Sequence, residues 1–554
     1  MTIKFSNSRC GVGKRRYKLF SLIFIILIFL PIIFKSCNID FAYGLVNERR
    51  NLAKLPAFKD QTLKVFLRNY DTYLKDNIPF RQLFLTGYMY LTENLLNSYE
   101  KENVSGKNGE YYPNFNIAPC IEESLGIIPY SKQAIEWLRL SEAGKYAFFY
   151  SKNIPYLLFT VPDKTTLYPE MLPFYANWIP HQGWYKNVTD ALNHSNIPFY
   201  DLQDILEQDK SKYRLYDKAF DIVHWNGNAL ITAYAFIDKV LQKNSPVFKQ
   251  INVEHDYTSY KKEVSAGVYG KEKTIFIKIQ NKDFITCGEL PVNLQNRTQA
   301  YEKMCINKKA KGVLWFFSDS YFAATHGSSD TLPLVHAAKT YIHSHYNLNS
   351  PYTFTDVANE RFGAGLMPDA VIEEFVERMG GPMHAVNDYL LRILGDLWLH
   401  TGGYLLDPSF NKNDIILTNV KFSNYECIQT RDADKNQETN LKINALNGDP
   451  MITFKQSVTA DYLGRAVVMA KYVAPSDTVA QLFYTTDSSP YFYEDKSVRQ
   501  PIHTGENLVH LTVHVKPFEK VYLRFDPGAV PGQYIFENIP EVEDLRKRMK
   551  EDGL

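Results

Sequence analysis

The strongest constraint on this 554-residue chain is a change of texture close to residue 410. Upstream, short apolar runs take turns with segments of helical period. "IPYLLFTV" (154–161) and "IPFYDL" (197–202) read as strands, with "KNVTDALNHS" as the helix between them. "NALITAYAFIDKVL" (228–241) reads as another helix and "KGVLWFF" (311–317) as a further strand. Such alternation implies an α/β unit, a parallel sheet joined by helical crossovers. Downstream, "DIILTNVKF", "RAVVMAKYV", "AQLFYTT", "NLVHLTVHV" and "KVYLRFDP" are strand-length, rich in β-branched and aromatic residues, and parted by Gly, Pro, Asp and Ser. That spacing predicts an antiparallel sandwich or jelly roll. A chain this long exceeds what one hydrophobic core serves, so two textures imply two folding units.

Three other segments complete the expected order. Residues 45–100 carry apolar side chains at three- and four-residue spacing, interrupted at Pro79, and predict helices. "PDAVIEEFVERM" (368–379) reads as a helix opened by Pro368, with Val371, Ile372, Phe375 and Val376 on one face. The final "EVEDLRKRMKEDGL" is charged and predicts a solvated tail. The expected boundaries are therefore 1–36 for a basic tail and anchor, 45–410 for the α/β unit, 411–540 for the sandwich and 541–554 for the tail.

The anchor is read from charge. Lys4, Arg9, Lys14, Arg15, Arg16 and Lys18 precede an apolar run from Leu19 to Phe34. The positive-inside rule keeps such an N-terminus in the cytoplasm and sends the rest across the membrane. The run is short for a span, and Tyr17 with its flanks extends it to a marginal one. No small-x-small cleavage site follows in "KSCNIDFAYG", which favours an uncleaved anchor over a signal peptide. Cys37 lacks the small apolar residues that precede a lipidated cysteine. The expectation is a single-pass protein of a bacterial inner membrane, with its bulk in the periplasm. An oxidising compartment permits disulfides. Cys287 and Cys305 are close in sequence and parted by a loop-like stretch, which favours them as a pair; buried thiols at Cys120, Cys287, Cys305 and Cys427 fit equally. A net charge of +1 offers nothing to nucleic acid.

Chemistry is expected where a strand of the parallel sheet gives way to a helix, because side chains there stand at the carboxyl end of the sheet. "KGVLWFFSDSYFAATHG" is such a place, an apolar strand ending in Ser318-Asp319-Ser320-Tyr321 before a helix-like run. Backbone N–H groups around Ser320 suit an oxyanion hole. A serine hydroxyl is a weak nucleophile and needs a base. His224, in "FDIVHWNGNAL" (220–230), can supply it, and Asp221 can fix the imidazole tautomer. Singly, an SDS tripeptide is an ordinary turn and a histidine beside Trp225 an ordinary core residue. Together they point to a triad of Ser320, His224 and Asp221. Ser318 is a rival nucleophile and His326 a rival base. Lys164, in "PDKTTLYPE", and Tyr321, Trp225 and Asn226 are candidates to meet substrate, although a loop-ordering role suits Lys164 equally. Glu377 and Arg378 are expected to form an ion pair. "HSH" (343–345) brings two histidines together, but no Cys, Asp or Glu pattern completes a metal site.

"SDSY" resembles the GDS block of SGNH hydrolases, and Asp221-x-x-His224 resembles their DxxH block, in reversed order along the chain. That reversal resembles the alginate O-acetyltransferase family of AlgJ and AlgX, in which the Asp/His segment precedes the serine. "ERRNLAKLPAF" (48–58), "DNIPFR" (76–81), "GKNGEYYP" (106–113), "VPDKTTLYPEMLP" (161–173), "HWN" (224–226) and "PDAVIEEFVER" (368–378) agree with it, over roughly residues 45–400. Three positions depart from the pattern. The family's acid stands two residues before the histidine, where this chain has Ile222, so Asp221 is the candidate and Asp217 the reserve. Ser318 replaces the glycine that opens the GDS block, and Asn228-Ala229 replaces a Gly-Ala pair.

The resemblance implies an SGNH-like α/β/α domain with a carbohydrate-binding-module-like sandwich, transferring O-acetyl groups to an exported polysaccharide. It implies a separate membrane-bound O-acyltransferase as acetyl donor and no cofactor in this chain. Polysaccharide deacetylation by the same triad, or a non-catalytic polysaccharide scaffold, are the alternatives. Tyr484, Tyr491, Phe492 and Tyr493 are the sandwich aromatics expected to stack on sugar.

Overall fold

The computed structural model describes residues 21, 22, 24–26, 29, 53–58, 62–77 and most of 103–554. Within that last range 115–118, 129–130, 174–175, 177–182, 267–269, 292–293, 295–298, 324–333, 347–352, 380–387, 400–401, 423–440 and 488–490 are left out. The expected anchor lies almost wholly outside the described residues, as does most of the helical stretch expected after Pro79. Among the described residues no helix is long and apolar enough to cross a membrane. Leu63–Asp76 is helical as its period predicts, with Thr62 accepting a hydrogen bond from Val65 N at its start.

One seven-stranded sheet organises the α/β unit. In chain order its strands are β1 (Tyr156–Val161), β2 (Phe199–Asp201), β3 (Ile285–Gly288), β4 (Gln299–Asn307), β5 (Lys311–Ser318), β6 (Ala338–Tyr346) and β7 (Ala370–Val376). Across the sheet they run β2-β1-β7-β5-β6-β4-β3. The stretch from β2 to β6 is parallel, as the alternation predicts. β4 and β3 extend it as an antiparallel edge, which the sequence reading did not foresee. Cys287 and Cys305 stand opposite each other on that edge and are joined, with S–S 2.01 Å.

Helices cover both faces. They are α1 (Lys132–Ser151), α2 (Trp184–Asn193), α3 (Gly227–Asn244), α4 (Phe354–Gly363) and α5 (Tyr389–Trp398). Alternation along each strand decides which face a residue joins. Leu157, Phe159, Leu314, Phe316 and Ile372 pack with Ala233, Tyr234 and Ile237 of α3. Tyr156, Leu158, Trp315, Phe317, Val371 and Phe375 pack with α1, α2, α4 and α5.

β7 corrects an expectation, since residues 368–379 were expected to be helical. "AVIEEFV" is instead a central strand with every residue buried. Its two glutamates face opposite sides. Glu373 meets Lys145 Nζ (2.5 Å) and Tyr156 OH (2.5 Å), which also bind Glu142, so the burial is compensated. Glu374 faces the other side, toward the end of β5.

From Gly402 onward the chain forms two six-stranded sheets that share a core including Ile443, Val468, Tyr472 and Phe536 from one, and Ile452, Leu482, Leu523 and Phe525 from the other. The sandwich therefore takes in Gly402–Leu406, ahead of the expected start at 411, because that strand pairs in parallel with Arg465–Ala474. The sandwich also has an apolar outer surface. Leu405, Val467 and Met469 join the core cluster of α1 and α5. Beside them Arg465 reaches Asp396, Glu136 and Asp461.

The last residues are not a solvated tail. They form α6 (Pro540–Glu551), which crosses back onto α1 and buries Val542 and Leu545 in the cluster of the α/β unit. The charges of "EVEDLRKRMKEDGL" cover the solvent side of an amphipathic helix.

Candidate active site

β5 ends at Ser318, and a short helix, Ser320–Ala323, follows directly. Ser320 thus stands at the carboxyl end of the parallel sheet. His224 Nε2 lies 2.9 Å from its Oγ. On the other side of the ring, His224 Nδ1 lies 3.1 Å from Asp221 Oδ2 and 3.2 Å from Oδ1. Asp221 Oδ1 also accepts from the backbone N–H of Val223 (3.1 Å) and His224 (3.0 Å). The carboxylate therefore fixes the turn that carries the histidine as well as the ring. Side-chain exposures of 17% for His224 and 19% for Asp221 leave the pair reachable from solvent. A proton can pass from Oγ to Nε2 while Asp221 holds Nδ1–H, the arrangement that activates a serine.

The segment bearing Asp221 is held from several sides. Lys164 Nζ donates to the carbonyls of Tyr111 (2.7 Å), Asp217 (2.7 Å) and Lys218 (3.0 Å) and pairs with Glu110 (3.1 Å). Burial pulls its amine down to about 8, against the opposing pull of Glu110. The Glu272 carboxylate accepts from the backbone N–H of Lys218, Ala219 and Phe220. Asn226 caps α3, its Oδ1 accepting from Asn228 N (3.0 Å), and donates through Nδ2 to Arg214 O (3.0 Å).

The serine turn is fixed by Asp319 and Tyr321. Asp319, 3% exposed, accepts from Tyr321 N (2.8 Å) and from Val376 N at the end of β7 (2.6 Å). Its own N–H points to Glu374 (3.4 Å), whose carboxyl is pushed well above its ordinary range by burial and then by Asp319. Tyr321 OH donates to Val223 O, one residue before His224, and lies 3.1 Å from Asp163. Arg378 joins Asp163, Tyr321 OH and Val223 O in one knot. Trp225 Nε1 donates to Tyr321 O (2.9 Å), so His224 and Ser320 are tied together through their neighbours.

This geometry sorts the sequence candidates. Ser320, His224 and Asp221 come together. Asp217 does not join them: it is buried, accepts from Thr274 Oγ1 (2.5 Å), and is pushed up to about 7 by burial. Tyr321, Trp225, Asn226 and Lys164 were candidates to meet substrate. All are at most 2% exposed, with polar groups committed to the protein, so they position the site instead. The expected Glu377–Arg378 pair is replaced by Arg378–Asp163. Glu377 instead accepts from Asp163 N (2.8 Å) and Thr166 Oγ1 (2.7 Å), and burial pushes it up to about 8. Ser318 is fully buried with its Oγ 2.8 Å from His343 Nε2, which removes it as a rival nucleophile. His326 lies outside the described residues, as does the side chain of His345. Asp163, Asp319 and Arg378 were missed as site-building residues. The signal for Asp163 was its place in "VPDK", directly after a buried strand.

No family model and no curated protein matches the chain. Several solved structures do. Bacillus cereus PatB1 with a sulfonyl adduct is 13% identical, with a TM-score of 0.38 over 50% of this chain and 96% of that one. The O-acetyltransferase domain of Pseudomonas putida AlgJ is 11% identical, with a TM-score of 0.35 over 53% and 99%. Pseudomonas aeruginosa AlgX is 12% identical, with a TM-score of 0.32 over 78% and 93%. At TM-scores this low none of them bears on what the site does, and the functional reading rests on its own geometry.

Proposed function

We propose that this chain is a serine-dependent O-acetyltransferase whose acceptor is an exported polysaccharide. The observation that carries the reading is the line Asp221–His224–Ser320 at the end of β5, with Nε2 2.9 Å from Oγ. Ser320 Oγ attacks the acetyl carbonyl carbon as its proton moves to His224 Nε2. The tetrahedral adduct collapses, and the donor's oxygen leaves with that proton. A sugar hydroxyl then gives its proton to His224 and attacks the acetyl-serine. Collapse breaks the bond to Oγ, which takes the proton back. The Tyr321 N–H is held by Asp319, so in this reading the developing oxyanion is met by the backbone N–H of Ser320 itself.

The acetyl donor in this reading is a membrane-bound O-acyltransferase. The N-terminal segment holds the chain at the inner membrane, and the catalytic unit works in the periplasm. The sandwich is a second place to hold glycan: Tyr491 and Tyr493 stand 71% and 59% exposed on it. A polysaccharide acetylesterase with the same triad is the second reading, and the solvent-reachable His224 and Asp221 support it, because water reaches the place where a sugar hydroxyl must attack. Mass spectrometry after incubation with 4-nitrophenyl acetate tests the chemistry. An acetyl group on Ser320 is the expected result, and its absence from Ser320 overturns both enzyme readings. Transfer is told from hydrolysis by adding an oligosaccharide acceptor and asking whether acetyl appears on it.

A further inference from the structure

A second serine–histidine contact lies beside the triad, fully buried and without a part in proton transfer. Ser318 is the last residue of β5, and His343 lies in β6, the strand that pairs with β5 in parallel. Both side chains are closed off from solvent, so neither meets a substrate. Phe316 meets the His343 ring edge-on with centroids 5.5 Å apart, and Tyr341 flanks it at 6.0 Å. The imidazole is thus held in place by rings as well as by the serine.

Ser318 Oγ lies 2.8 Å from His343 Nε2 and 3.1 Å from the carbonyl oxygen of Asp319. A hydroxyl has one proton, and a carbonyl oxygen only accepts. Both contacts are made at once only when Ser318 donates to Asp319 O and His343 donates to Ser318 through Nε2–H. That carbonyl belongs to the peptide group joining Asp319 to Ser320. The group is planar and trans, so its C=O and N–H point in opposite directions. Holding the oxygen therefore sets the direction of the Ser320 N–H, the donor assigned above to the oxyanion. The other polar groups of Asp319 are also engaged. Its N–H points to Glu374 at 3.4 Å, and its carboxylate accepts from the N–H groups of Tyr321 and Val376.

We propose that Ser318 and His343 are positioning residues for acetyl transfer, which hold the Asp319–Ser320 peptide so that the Ser320 N–H faces the developing oxyanion. The inference rests on the acetyl-transfer reading above and deepens it. A glycine at 318, as in the GDS block that this segment resembles, has no hydroxyl with which to grip the peptide. An oxyanion donor is worth most when it needs no reorientation as charge develops. The pair therefore acts on the transition state and not on the binding of the ester.

The test is the pre-steady-state release of 4-nitrophenol from 4-nitrophenyl acetate by the full chain in detergent. Acetyl-Ser320 is counted by mass spectrometry at the end point, and each variant's fold is checked by its melting temperature. Ser318→Ala is expected to lower the acylation rate constant on the order of tenfold. Its half-saturating ester concentration and its end-point acetylation should match wild type, because Ser320 and His224 remain and only the oxyanion contact is misdirected. His343→Gln keeps an N–H where Nε2–H stood and should stay within about twofold of wild type, whereas His343→Leu cannot donate and should fall as Ser318→Ala does. A wild-type rate constant in Ser318→Ala overturns the proposal. So does a loss confined to the acetylated fraction, which is what damaged packing alone would give. Equal rate constants in folded His343→Gln and His343→Leu overturn the histidine's part. In each of these cases acetyl on wild-type Ser320 leaves the transfer reading standing. Its absence from the wild type overturns that reading, and the positioning role with it.

Discussion

Asp221 has two tasks at once, accepting from the backbone of its own turn through Oδ1 and facing His224 Nδ1. An Asp221→Asn variant keeps the first through its amide oxygen but presents an N–H to Nδ1. The ring then carries its proton on Nε2 and cannot accept from Ser320. Esterase turnover should fall on the order of 10³-fold or more with the fold intact, read by ester hydrolysis alongside circular dichroism; an unchanged rate would move the acid elsewhere. Asp217 makes a different prediction. Its folded carboxyl sits at about 7, above the roughly 3.9 of an unfolded aspartate, so the folded state keeps a proton that the unfolded state gives up. The stability it contributes is full below about pH 4 and is lost as pH rises through about 7. Melting temperatures of wild type and Asp217→Asn across pH 4–8 should show a shallower decline in the variant, and parallel curves would contradict the assignment. Asp221, His224 and Ser320 were legible as candidates because Asp-x-x-His and Ser-Asp-Ser are local patterns. Arg378 and Glu374 were not, because their roles arise only when strands distant in sequence lie side by side, and Asp163 offered only its place after a buried strand.

At the scale of elements, β7 shows where periodicity misleads. A strand buried on both faces has no alternation to read, and Val371, Ile372, Phe375 and Val376 also fit one face of a helix. Two adjacent glutamates added to the ambiguity, since buried carboxylates are expected only where something compensates them. Here Lys145 and Tyr156 compensate Glu373, and burial pushes the Glu374 carboxyl well above its ordinary range. α2 and α3 were easier, and the sequence reading placed both; α1 it did not foresee, because from Leu138 to Phe149 that helix is buried almost all round and shows no single apolar face. The packing of α1 on α5 supplies an element-scale prediction. A Cβ on Gly144 would lie 1.8 Å from Leu391 O, and one on Gly395 2.3 Å from Leu140 O. These are backbone atoms, which cannot swing aside. Gly144→Ala and Gly395→Ala should each destabilise by about 1–3 kcal/mol, measured by urea denaturation, while Gly109→Ala, where a Cβ meets nothing, serves as a comparison strained only by its positive φ. Wild-type stability in both helix variants would mean that the helices separate at no cost.

The α/β unit and the sandwich share a boundary of unlike parts: the apolar Leu405, Val467 and Met469, and the charged Arg465 with Asp396 and Glu136. The sequence reading placed a change of texture near residue 410 and missed this joint, since an outward-facing apolar row on a sandwich strand looks like core from either side. α6 closes the joint from the far end. Ending the chain at Asn538 removes Val542 and Leu545, about 1.5–3 kcal/mol of burial each. The expected outcome is a lower melting temperature for the α/β unit and new binding of a hydrophobic dye, and an unchanged melt would show that α6 only rests on the surface. The same helix sets a clock on the molecule's birth. α1 leaves the ribosome roughly 390 residues before the helix that covers it, a wait of roughly 20–80 s at ordinary elongation rates. Throughout that interval the nascent α/β unit shows a bare apolar flank, open to proteases and to other emerging chains. Completion of the α/β unit thus waits for the codons of α6, and a nonsense mutation ahead of them should be felt first around α1, made long before.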